Sequence, residues 1–121
     1  MRGKRKYQVA GQIKAEASEV IRSKMSDPRI GFVTITDVEM SDDLRYAKIF
    51  FSVLGDKSKL KETLKVLRGA KAYIQSEVAA RIRIRFMPEI NFYVDESLAY
   101  GARIQELLNT VEEDLAGDDA S

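Results

Sequence analysis

The chain has no cysteine and no histidine. The first absence excludes disulfides, thiol catalysis and thiolate metal sites, and the second removes the commonest zinc ligand and the usual neutral-pH proton shuttle. Tryptophan is absent too, and there are only two prolines, Pro28 and Pro88. No apolar run approaches the ~20 residues needed to cross a bilayer. The basic start at Met1–Lys6 is not followed by a signal-peptide core, so the chain is expected to be cytoplasmic with no membrane contact. Nor is there a glycine loop of the kind that cradles nucleotide phosphates. Ser41, Ser52 and Thr36 lack a histidine to activate them, and the carboxylates at Asp42–Asp43, Glu112–Asp114 and Asp118–Asp119 have no metal-loop register. A non-catalytic protein without cofactor or metal is expected.

What the chain does have is segregated charge. Its 121 residues carry a formal net charge of only +1. Yet residues 1–24 hold seven basic side chains against two acidic ones, and residues 58–87 hold eight against two. From Pro88 onward Arg103 stands alone against nine acidic residues. Such polarity orients a protein on a polyanion even when the total is nearly neutral.

Val9, Ile13, Ala17, Val20 and Ile21 recur at helical spacing and predict a first helix from about Tyr7 to Met25. Asp27–Pro28 stops it, because proline lacks a donor and disfavours helix in its predecessor. A first strand follows Gly31, with Phe32, Thr34, Thr36 and Val38 on one face and Val33 and Ile35 on the other. Ser41–Asp43 reads as a turn and Tyr46–Val53 as a second strand, whose apolar Ile49–Phe51 run leaves its inward face open. Leu60, Leu64, Leu67, Ile74 and Val78 form one helical stripe from about Ser58 to Ala80. Gly69 sits in its middle, where a glycine costs ~1 kcal/mol relative to alanine and marks a bend, a close approach or a tolerated surface position. A third strand is expected over about Ile84–Val94, with Pro88 at a bulge or edge. Leu98, Ile104, Leu107, Leu108 and Val111 predict a final helix.

The order α-β-β-α-β-α describes one α+β domain, a small sheet with helices on one face and a right-handed crossover between the second and third strands. Residues 1–6 are expected to form a flexible basic arm, 7–115 the domain and 116–121 a flexible acidic tail.

The candidate binding residues are basic. Lys65, Arg68 and Lys71 recur every third residue, and Arg81, Arg83 and Arg85 alternate with Ile82, Ile84 and Phe86. That alternation predicts guanidinium groups on one face and burial on the other. Lys4–Arg5–Lys6 adds a flexible electrostatic arm. Arginine grips phosphate bidentately and lysine supplies a point charge, contacts that position a polymer without reading its sequence. Arg29 and Arg45 are isolated and read as ordinary surface residues. Tyr7, Tyr46, Tyr73, Tyr93 and Tyr100 are candidates for base stacking or for the edge of the core.

Several short signatures occur together: Asp27–Pro28–Arg29 with Gly31–Phe32–Val33–Thr34–Ile35–Thr36, Asp43–Leu44, Ala47–Lys48 and Ser52–Val53–Leu54–Gly55–Asp56. Arg83–Ile84–Arg85, Pro88–Glu89–Ile90, Phe92 and Asp95–Glu96–Ser97 before Gly101 continue the series. In this order and spacing, from roughly Val9 to Leu108, the chain strongly resembles the bacterial ribosome-binding factor A family. The resemblance implies a type II KH-like domain without the usual glycine clamp for nucleic acid, its middle helix bent at an alanine in an Ala–X–Gly pattern. The matching site is Ala70–Lys71–Ala72, where Ala72 replaces the family's glycine and Gly69 is the neighbour that would compensate. Gln75 stands where a basic residue is common. The resemblance further implies binding to free or immature small ribosomal subunits and small-subunit rRNA, late maturation and rRNA end processing, and a role in cold growth. A GTPase that releases the factor is implied as well. A monomer is the simpler expectation. The alternative function is a protein-interaction adaptor using the acidic C-terminal helix.

Overall fold

A computed structural model describes residues 2–25, 27, 30 and 32–95 of the chain. The expected final helix, the acidic tail, Pro28 and Arg29 lie outside the described residues.

Helix α1 spans Arg2–Lys24 and buries Val9, Ile13, Ala17, Val20 and Ile21, the stripe anticipated from spacing. It begins at Arg2 rather than near Tyr7, so Lys4–Arg5–Lys6 continues the helix instead of forming a separate non-helical arm. The physical reason is that lysine and arginine are good helix formers and residues 2–6 contain no proline, so the docked apolar stripe carries the helix past Gly3 despite its low propensity.

Strands β1 (Phe32–Met40) and β2 (Tyr46–Leu54) pair antiparallel, and β3 (Glu89–Val94) lies parallel to β2 on its other side. The sheet order is therefore β1-β2-β3. Thr36 is the extra residue of a bulge between Ile35 and Asp37. The bulge corrects the simple alternation expected for β1: Ile35 faces the core before it, and Val38 and Met40 face the core after it. In an unbulged strand Val38, three residues on from Ile35, would point to the opposite face. The kink finds one partner on α1 and one in its own strand, since the Lys14 ammonium donates to the Thr36 carbonyl at 3.2 Å and the Val38 amide donates to an Asp37 carboxylate oxygen at 2.9 Å.

In β2 the inward face carries Ala47, Ile49 and Phe51, which settles the ambiguity of its apolar run. Register places Ile90 beside Ala47 and Phe92 beside Ile49, and all four are buried. Phe51 and Phe92 meet edge-on, with ring centroids 6.4 Å apart. Each such buried side chain contributes roughly 1.5–3 kcal/mol relative to leaving it in water. The opposite sheet face carries Thr34, Lys48, Phe50 and Tyr93, all exposed or half-buried.

The crossover from β2 to β3 is two helices, α2 (Lys57–Gly69) and α3 (Lys71–Arg81). Asp56 caps α2 by accepting from the Lys59 amide at 3.0 Å, an N-cap role suited to a short carboxylate. The single residue between the helices is Ala70, at φ −94° and ψ 7°. Its amide closes the last bond of α2 on Val66 at 2.9 Å, and its carbonyl accepts the first bond of α3 from Ile74 at 2.9 Å. Both ladders thus reach the break, and Leu60, Leu64, Leu67, Ile74 and Val78 remain on one buried stripe across it.

Candidate nucleic-acid interface

The predicted basic residues do not form one ridge. Helix α3 runs through Arg81 and β3 starts only at Glu89, so residues 82–88 are an irregular connection rather than the start of a strand. Period-two alternation does not extend through it. Ile82 is buried and Ile84 half-buried, but Phe86 is 78% exposed, contrary to the expectation that it buries with them. The backbone bends at Arg85–Phe86 and turns that ring outward.

Arg81 lies 3.5 Å from Glu77 in its own helix and 4.0 Å from Glu16 of α1, so its charge is largely answered within the protein. Arg83 is exposed in the groove between the end of α3 and the Gln8–Gln12 face of α1. Arg85 faces elsewhere. With Arg5 of α1 and Arg45 of the β1–β2 turn it surrounds a cavity of about 530 Å³ floored by Val9, Leu44 and Ile84. The Arg85 guanidinium stands over the Phe86 ring, 5.5 Å from its centroid.

Arg45 is isolated along the chain, and the fold brings it to the other two. Its place is set by a compact turn. The Ser41 hydroxyl accepts from the Arg45 amide at 3.1 Å and the Tyr46 amide at 3.0 Å, and donates to Asp43 at 2.7 Å. The Ser41 hydroxyl and then the Arg45 amide hold the Asp43 carboxyl below its usual pKa. Leu44 sits at φ 61°, a left-handed conformation that costs a non-glycine residue ~1–2 kcal/mol. Leucine carries no local sequence signal for such a position; asparagine or glycine would have.

Lys65, Arg68 and Lys71 occupy a different part of the surface. Lys65 is exposed on α2. Arg68 reaches the Phe92 carbonyl at 3.4 Å, and Lys71 donates to Asn91 at 2.9 Å and lies 3.3 Å from Glu89. Gln75 accepts from the Ile90 amide at 3.0 Å. Arg68, Lys71 and Gln75 all flank the helical break: Arg68 and Gln75 meet backbone groups on the outer edge of β3, and Lys71 holds the side chains of Asn91 and Glu89 on the same strand. The polar contacts give Arg68 and Lys71 a structural task that spacing alone does not reveal. Gly69 is exposed, a Cβ built on it meets nothing within 4 Å, and its φ is not left-handed. It is no close-approach glycine, and the break occurs at Ala70 with alanine at position 72.

At the other end of the site, Lys6 pairs with Asp42 at 2.9 Å, tying α1 to the β1–β2 turn. That hydrogen bond and charge raise the Lys6 pKa. Arg5 is exposed beside it, and Lys4 lies on the same first turns of α1. Of the tyrosines, Tyr7, Tyr46 and Tyr73 are exposed, whereas Tyr93 is half-buried against Phe50, with Lys48 over its ring at 5.7 Å. Among the described residues no His, Cys, Asp and Glu group could hold a metal ion, and no helix is long and apolar enough to cross a membrane.

Known proteins with this architecture point one way. A family model described as ribosome-binding factor A matches residues 5–108. A solution structure of a putative ribosome-binding factor A from Thermotoga maritima is 34% identical, covers 81% of this chain and 93% of its own, and superposes with a TM-score of 0.68. A crystal structure of ribosome-binding factor A from Thermus thermophilus shares the fold at 24% identity and a TM-score of 0.65, covering 74% of this chain and 94% of its own. A homology model of the Thermus thermophilus factor, fitted into a cryo-EM map of its 30S complex, matches at 23% identity and a TM-score of 0.62, over 73% of this chain and 92% of that one. The family match running from α1 past β3, on a three-stranded mixed sheet flanked by three helices, places the chain in the bacterial ribosome-binding factor A family, whose members are non-catalytic.

Proposed function

We propose that this protein is a ribosome assembly factor that binds free or immature small ribosomal subunits through their rRNA and promotes late maturation, rRNA end processing and growth in the cold. Family membership supports a role in ribosome biogenesis. The observation that carries the contact itself is the convergence of Arg5, Arg45 and Arg85, from three separate elements, on one open cavity. Exposed Arg83, in the neighbouring groove, and exposed Lys65, on a separate part of the surface, add further positive charge. Lys4, Lys6, Arg68, Lys71 and Arg81 belong to the same proposed interface, with the last three also serving the fold.

Such a surface works by binding alone. Contacts to phosphate position the RNA without reading its bases, and a factor that prefers one RNA conformation shifts the population toward it. No covalent step is required. In the cold, where misfolded RNA leaves its traps slowly, the same preference has its largest effect. The proposal extends to a cytoplasmic monomer released from the subunit by a ribosome-assembly GTPase.

The test is the distribution of untagged protein across a native sucrose gradient of lysate. Comigration with free small subunits, and not with joined ribosomes, is the expected result, weakening steeply as salt rises because phosphate contacts release counterions. A profile confined to the top of the gradient, at low salt and during cold growth, would overturn it and favour the adaptor.

A further inference from the structure

Building on the RNA-binding reading above, we propose that the Arg5–Arg45–Arg85 cavity takes a single unpaired nucleotide, its base lying against Phe86 and its phosphate held by the arginines. Four observations converge on that ligand.

The cavity holds about 530 Å³, within the range of pockets that enclose a small molecule. Its floor is apolar, from Val9, Leu44 and Ile84, while its rim is cationic. A nucleotide has the matching polarity, a flat and largely apolar base joined to an anionic phosphate.

Phe86 is the second observation. Its phenyl ring is 78% exposed and offers a flat apolar surface, with the guanidinium of Arg85 5.5 Å from the ring centroid. Aromatic rings and arginine planes are the two surfaces on which unstacked bases settle. Stacking of this kind tolerates any base, so the cavity selects unpaired over paired nucleotides rather than one sequence.

Third, the one carboxylate at the rim offsets only part of the arginines' charge. Asp43 accepts from the Ser41 hydroxyl and the Arg45 amide within its own loop and also feels the Arg45 charge, but it stands against three guanidinium groups. The rim is left with a positive excess.

Fourth, the walls are held by the fold. Val9 belongs to the core of α1, and Leu44 and Ile84 pack against the same cluster. Leu44 is kept at φ 61° by this packing and by the turn around Ser41. A cavity built from three elements fixed in this way is ready before ligand arrives, which lowers the entropy cost of binding.

An acidic peptide would satisfy the arginines but leave the exposed ring without a planar partner. The experiment therefore sets RNA against peptide on the full chain. Isotope-labelled protein is titrated with a single-stranded RNA pentamer, with the same backbone lacking every base, and with a glutamate-rich peptide, while amide shifts are followed. The expected result is that Arg45, Arg85 and Phe86 shift with the intact pentamer and that removing the bases weakens binding roughly tenfold. Phe86→Ala should weaken the intact pentamer by a similar factor, and Phe86→Tyr should restore it. The ring is exposed, so both variants should melt as the parent does.

Equal binding of intact and abasic RNA, or shifts confined to the Arg83 groove, would overturn the proposal. So would tighter occupation of the cavity by the peptide. Gradients run in parallel separate this from the subunit reading. Parent protein on small subunits with an unresponsive cavity sinks only the nucleotide site; an occupied cavity without subunit binding sinks only the ribosomal role.

Discussion

The side-chain oxygen of Gln75 accepts a hydrogen bond from the backbone amide of Ile90 at 3.0 Å, joining α3 to the outer edge of β3. Ile90 is fully buried, so water cannot easily replace this partner. Family resemblance alone casts Gln75 as a lost phosphate contact; in the fold it completes the sheet.

Replacing Gln75 by leucine should therefore cost about 1–3 kcal/mol, the range for leaving a buried donor unmet. Amide exchange at Ile90 should accelerate more than at Ile49 in the central strand. Unchanged exchange at Ile90 would mean that the bond contributes little.

Gly69→Ala should stabilise the protein, by up to about 1 kcal/mol, because the residue is helical and its new methyl group meets no neighbour. Thermal melting should rise by a few degrees. A lower melting temperature would assign Gly69 an active part in the break at Ala70.

Arg83 and Arg81 are two residues apart but should behave differently on RNA. Arg83→Gln should weaken binding across all sequences and reduce the salt slope by about one. Arg81→Gln should have a smaller effect, because its guanidinium already faces Glu77 and Glu16. Equal losses in salt-dependent binding assays would show that those ion pairs open to admit phosphate.

Asp43 should titrate below its usual value of 3.8, since the Ser41 hydroxyl and the Arg45 amide both favour the carboxylate. A depressed folded-state value means that its stabilisation is complete above the unfolded value and fades as pH falls through the folded one. Carboxyl-carbon titration by NMR checks this. Ser41→Ala should return the midpoint toward normal, and an unmoved midpoint would remove the hydroxyl from the account.

Much of the core is legible in the residue order because a helix repeats its faces every 3.6 residues and reports them locally. The stripes of α1 and of the α2–α3 pair are all buried. The strand faces are less legible. The bulge at Thr36 adds one residue, and a period of two cannot signal an insertion whose cost is met by Lys14 from another element. Phe86 departs from its expected burial for a related reason: alternation presumes a continuous strand, and the connection after Arg81 bends before β3 begins.

The candidate site divides in the same way. Composition and local periodicity are enough to establish that the protein lacks histidine and cysteine chemistry, is segregated in charge and buries an α+β core. Which cations act together is a matter of packing in three dimensions. Packing separates Arg85 from its sequence neighbours Arg81 and Arg83, joins it to Arg5 and Arg45, and commits Arg68 and Lys71 to the edge of β3. The reason is geometric: charge interactions depend on distance through space, and helix packing and sheet pairing, not sequence order, set those distances.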